Sequence, residues 1–141
     1  MAILQYLEDT RPEPSLTPAN LLQKTHMRAI CETIVSGIQP LQNLGLRPRF
    51  DTEQQFQKFA LYHTERGLQT LEELLKKTAG EFCVGDQLTM ADLCFVPQLF
   101  NATTRTQLDI SKYPTVSKLY EGLLKKEVFK ETHPHVVKSK L

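Results

Sequence analysis

The chain has 141 residues, 40% of them hydrophobic and 23% charged, with 17 basic against 16 acidic side chains. That length suits one domain burying roughly two-thirds of the surface its unfolded form exposes, and the composition excludes a disordered chain. Near-neutral charge argues against a polyelectrolyte partner: even residues 112–141, with seven Lys against three Glu, lack the interleaved stacking aromatics of a nucleic-acid footprint.

In chain order, "MAILQYLEDT" reads as amphipathic helix from its first residue, and "RPEPS" ends it, since each proline removes an amide donor and restricts its predecessor. "TPAN" predicts the next start, with Thr17 as N-cap and Pro18 at the first helical position. This helix is expected to run toward Leu44 with Met27, Ile30, Ile34, Ile38 and Leu41 on one stripe, kinked near Ser36–Pro40 where Pro40 cannot bond to the Ser36 carbonyl. A second long helix is expected from a cap at Asp51, with Gln54 three residues on, to Gly80; its stripe carries Phe56, Phe59, His63, Gly67, Leu71, Leu74 and Leu75. In "GDQLTMADL", Thr89 and Asp92 form a capping box, flanked by Leu88 and Leu93 as a hydrophobic staple. "LTMADLCFVPQLF" is apolar nearly all round, which marks a helix buried at the centre of a bundle. "YPTVSKLYEGLLKKEVF" is expected to supply a further amphipathic helix after the turn at Tyr113–Pro114. The fold class is therefore all-α.

Chemistry is harder to read. There is no G-x-S-x-G, Walker loop, H-E-x-x-H or G-x-G-x-x-G. Cys31, Cys83 and Cys94 are an odd count with no C-x-x-C or zinc spacing, and read as buried thiols of a reducing compartment. No apolar run approaches the roughly 18 residues that span a bilayer, so a soluble protein is expected. His133-Pro134-His135 offers two metal ligands without a third, and His63 reads as a core or interface histidine. Asp92 has a sufficient role as a cap and is not taken as a catalytic acid. In "SGIQPLQNLG", Gln39 and Asn43 are four apart beside the carbonyl that Pro40 frees; their amides suit a polar ligand, against the plainer reading of a solvated helix face. Arg105, placed in a polar loop "NATTRTQ", suits a carboxylate.

"SGIQPLQNLG", "GEFCVGDQLTMADLCFVPQLFNA" and "YPTV" together resemble the zeta class of glutathione transferases, the maleylacetoacetate isomerases, over almost the whole chain. The resemblance implies the glutathione transferase C-terminal helical bundle over residues 13–141. It implies that residues 1–12 are the remnant of the last helix of a preceding thioredoxin-like domain plus its linker, so that the chain starts inside a longer family pattern. It further implies a homodimer and a cytoplasmic location, with the terminal Ser139-Lys140-Leu141 as a rival peroxisomal address.

By the same resemblance, the activity is glutathione-dependent cis–trans isomerisation of maleylacetoacetate to fumarylacetoacetate in tyrosine and phenylalanine catabolism. This chain supplies the substrate pocket: Gln39, Asn43, Leu44 and Gly45 contact glutathione and Arg105 holds a substrate carboxylate, although the loop around Arg105 is one residue longer than the family's. The family's thiol-activating Ser-Ser-Cys motif has no counterpart among these residues, so no catalytic residue is assigned, the chain alone is expected to be inactive, and a non-catalytic helical interaction module is the alternative. Ile3, Leu4 and Leu7 are expected to be exposed.

Overall fold

A computed structural model describes residues 1–138, and the terminal tripeptide Ser139-Lys140-Leu141 lies outside the described residues. The described residues form seven α-helices joined by turns, several of them 3-10, with no strand among them. They are α1 (Ala2–Thr10), α2 (Leu21–Val35), α3 (Glu53–Thr78), α4 (Met90–Arg105), α5 (Pro114–Leu123), α6 (Glu127–Glu131) and α7 (Pro134–Lys138). None is long and apolar enough to cross a membrane. The all-α expectation holds.

The centre is α4, as its all-round apolarity implied. Phe95 and Leu99 are fully buried among Ile30 and Ile34 of α2, Leu68 and Leu71 of α3, and Val116 and Leu123 of α5. The capping box at its start is present. The Asp92 carboxylate accepts the Thr89 amide at 2.8 Å on one oxygen and the Cys83 amide at 2.7 Å on the other, so it both caps α4 and pins the preceding turn. All three cysteines are buried and free.

Four boundaries differ from the sequence reading; one is the helix expected to run from Tyr113 through Phe129, which ends at Leu123 in a turn closed by the Lys125 and Lys126 amides before α6 begins at Glu127. Helix α2 starts at Leu21, where Asn20 Oδ1 accepts the amides of Leu22 and Gln23; Thr17 is not the cap. The Ser15–Pro18 segment is engaged elsewhere, with the Leu16 carbonyl accepting from the Met90 amide and the Ser15 carbonyl from Gln87 Nε2. Helix α2 also ends at Val35 instead of kinking on toward Leu44. The chain continues as two 3-10 turns, Gln39–Gln42 and Leu44–Arg49, because Pro40 lacks the amide an α-helix would need there. Helix α3 is capped one residue later than expected, by Thr52 with Gln55, whose side chain receives the Asp51 and Thr52 amides. Its last helical residue is Thr78, with Ala79 as C-cap, so the helix stops just short of Gly80.

Two residues of α3 position neighbouring segments. Gly67 lets Ile38 lie directly on the α3 backbone: a Cβ there would overlap the Ile38 side chain, which is wholly buried. That contact fixes the start of the Gln39–Gln42 turn. Glu72, buried on the inner face of α3, accepts the amides of Thr115 and Val116 and so satisfies the open N-terminus of α5. On α1, Ile3 and Tyr6 are largely exposed and Leu7 partly so, whereas Leu4 packs against the core; the expected exposure of Leu4 is corrected.

Candidate functional site

Because α2 breaks before Pro40, the residues after the break are presented on 3-10 turns beside the C-terminal half of α4. Gln39, Asn43 and Leu44 there face Asn101 and Arg105 across a cleft of about 290 Å³, with Gln42 in the same wall. Four of the five residues singled out from the sequence thus come together. Gly45 does not line this cleft; its amide donates to Asn43 Oδ1 at 2.8 Å, which starts the second 3-10 turn. The Asn43 carbonyl oxygen is thereby occupied, and its amide nitrogen is the part left for a ligand.

Arg105 sits in the last turn of α4, not in a loop. Thr103, Thr104 and Thr106 donate their hydroxyls to the carbonyls of Leu99, Phe100 and Ala102, a second set of bonds on carbonyls near the helix end, and the Ala102 carbonyl also receives the Leu108 amide. Gln107 then leaves the helix with a φ of 50°, a left-handed turn that redirects the chain. Among the described residues Arg105 has no ion pair, and the side chains of Gln39 and Asn101 have no hydrogen-bond partner. The cleft is a meeting of uncommitted polar groups.

Gln42 has the opposite condition. Its Nε2 donates to Gln98 Oε1 at 2.8 Å, and Gln98 Nε2 returns a bond to Gln42 Oε1 at 3.3 Å. Gln98 is fully buried in α4, so this reciprocal amide pair holds the Gln39–Gln42 turn against the central helix. Neither Gln42 nor Asn101 stands out in the sequence reading. Asn101 has a readable signal, lying one helical turn before Arg105 on the same helix; the Gln42–Gln98 pair spans 56 residues and has none.

Cys31 and Cys83 stay outside this chemistry. The Cys31 thiol is pushed up by its hydrogen bond with Cys94 and by burial, and burial likewise raises Cys83, followed by the charge of Asp92. Neither suits a thiolate nucleophile. His133 and His135 are neighbours, with ring centroids 5.1 Å apart, but among the described residues no group of three or more His, Cys, Asp or Glu could hold a metal ion. His63 packs edge-on against Phe59, in keeping with a core or interface role.

A family model described as "Glutathione S-transferase, C-terminal domain" matches residues 46–136. The chain belongs to the glutathione S-transferase C-terminal domain family. Its curated relatives include a probable maleylacetoacetate isomerase 1 of Drosophila melanogaster and a maleylacetoacetate isomerase of Mus musculus. Each is 46% identical over 134 residues, covering 95% of this chain and respectively 54% and 61% of the relative. Among solved structures, maleylacetoacetate isomerase from Anaeromyxobacter dehalogenans 2CP-1 with bound GSH in its active site superposes with a TM-score of 0.88 at 38% identity, covering 96% of this chain and 63% of that one. A bacterial maleyl pyruvate isomerase of the zeta class gives 0.87 at 27% identity, covering 96% and 66%. The chain therefore spans a little over half the length of the relatives it matches. For this glutathione transferase domain the resemblance to the zeta class is borne out.

Proposed function

We propose that this domain supplies the glutathione and substrate contacts of a glutathione-dependent cis–trans isomerase acting on maleylacetoacetate, in tyrosine and phenylalanine breakdown. The observation that carries the reading is the cleft in which Gln39, Asn43, Leu44, Asn101 and Arg105 converge, three of them with uncommitted polar side chains. That donor set fits a small peptide with amide and carboxylate groups. The names of the relatives favour this reading over a purely structural interaction module.

Glutathione, when bound, supplies a thiolate that adds to the cis double bond and is later expelled. The residues of this chain hold and orient. Gln39 and the amide nitrogen of Asn43 are placed to hydrogen-bond the tripeptide. Arg105, a fixed cation at the end of α4, is placed to take a substrate carboxylate in a two-pronged contact. The Gln42–Gln98 pair keeps the Gln39 turn in register with Arg105. Thiol activation is assigned to residues outside this chain, and homodimerisation and a cytoplasmic location belong to the same reading. If the C-terminal tripeptide works as an address, a reporter carrying the last dozen residues will be peroxisomal instead of diffuse.

The test is glutathione-dependent isomerisation of maleylacetone by the 141-residue chain and by the same chain fused to a family thioredoxin-like domain. Activity in the fusion, reduced at least tenfold by Arg105→Gln, is the expected result. An inactive fusion that still folds overturns the proposal, and activity in the unfused chain overturns the division of labour.

A further inference from the structure

Arg105 also lines a second and larger cavity, about 490 Å³, which shares Asn101 with the cleft beside the Gln39 turn. Its walls are mainly apolar, with Val96, Pro97 and Phe100 from α4 facing Leu124 and Phe129. Its polar lining includes His133 and His135 beside Arg105 and Asn101. Both imidazoles are set by the same ring: Phe100 meets His133 edge-on at 5.3 Å and His135 at 6.1 Å between centroids. The backbone amide of His135 donates to His133 Nδ1, which places the His133 ring proton on Nε2 as a donor.

Phe100 and Arg105 are five residues apart on α4, about 7.5 Å along the helix axis. The cavity therefore carries two nitrogen-donor stations, one at Arg105 and one at the histidine pair packed on Phe100, in a lining that is otherwise mainly apolar. A ligand matching that pattern has an acceptor at each end and an extended, weakly polar middle. We propose that His133 and His135 form a second carboxylate-binding station, so that this cavity takes the tail of a dianionic electrophile whose other carboxylate is held by Arg105.

The inference deepens the isomerase reading and rests on it for the identity of the electrophile, since maleylacetoacetate carries a carboxylate at each end of an extended dioxo chain. It makes the histidine pair a specificity determinant, selecting diacids over monoacids of the same length.

Unreactive probes test this without glutathione or turnover. Octanedioate and octanoate are titrated into the 141-residue chain by calorimetry, with imidazole ¹⁵N shifts of His133 and His135 as the local readout. Octanedioate is expected to bind about fivefold more tightly than octanoate, as one partly exposed charge-assisted contact allows. It alone should move the His133 and His135 resonances.

His133→Phe combined with His135→Phe keeps ring packing on Phe100 and removes the donors; it is expected to abolish the preference while leaving octanoate affinity unchanged. His133→Gln with His135→Gln restores an N–H donor and should recover part of it. Equal affinities for the two probes, no binding of either at millimolar concentration, or a preference that survives the phenylalanine pair overturns the proposal. A diacid preference in a chain whose fused form fails to isomerise maleylacetone leaves this station standing and removes only the isomerase reading.

Discussion

The two ends of α4 are built from the same kinds of residue and treat them in opposite ways. At the N-terminal end, Asp92 is wholly buried and each of its oxygens accepts a backbone amide, with the Thr89 hydroxyl adding a third bond. At the C-terminal end, Asn101 and Arg105 point polar groups into cavities and leave them without protein partners among the described residues. A polar group that is satisfied internally holds the fold; one left open within a cleft is available to a ligand. Mutations at the first end should therefore register in stability and those at the second in binding.

Asp92→Ala breaks the comparison most severely. Two buried amides lose their acceptor at once, and a loss of about 3 kcal/mol, or a fall in Tm of about 10 °C, is expected in thermal unfolding followed by circular dichroism. An unchanged Tm would mean that the turn before α4 does not depend on this carboxylate. Gly67→Ala is next, forcing Ile38 off α3 at about 2 kcal/mol by denaturant titration. Because Ile38 leads into the Gln39 turn, this substitution should also weaken ligand binding, the one case where packing damage reaches the open end.

Glu72 gives a pH handle on the satisfied class. Burial pushes its carboxyl up, but the amides of Val116 and Thr115, with help from Lys76, more than offset this and hold it below the ordinary value of 4.5. A carboxyl lowered in the folded state adds stability at neutral pH, and that contribution is lost as pH falls below about 4.5 and through the folded value. Glu72→Gln should flatten that part of the stability curve between pH 5 and 3, about the range in which a lowered carboxyl titrates. The smallest effect on stability is expected for Arg105→Gln, within about 0.5 kcal/mol of the parent, while carboxylate binding falls.

The same contrast explains what was legible in the sequence. The Thr89–Asp92 box lies within four residues, so spacing alone revealed it, and the apolarity of "LTMADLCFVPQLF" revealed that α4 is central. Thr17-Pro18 has an equally good local signature for a helix start and was misleading. The neighbouring Ser15 and Leu16 carbonyls bond to Gln87 and Met90, partners more than 70 residues away that no local pattern contains. The one-residue shift of the α3 cap has a local cause, the hydroxyl of Thr52 competing with the carboxylate of Asp51 for the same role. At the candidate site, Gln39, Asn43, Leu44 and Arg105 were found from spacing and resemblance, but the pair that locks them together was not. Gln98 reads as an oddity in an apolar helix until its partner on the 3-10 turn is seen.

The linker's attachment to α4 has a mechanical consequence. Glu8 of α1 receives the Leu16 amide and the Ser15 hydroxyl, and the Leu16 carbonyl in turn receives the amide of Met90, the first residue of α4. The sixteen residues of α4 then act as a strut about 24 Å long, with α1 fastened at one end and Arg105 at the other. One helix thus sets the spacing between the point where α1 is fastened and the cleft that Arg105 lines, at about 24 Å.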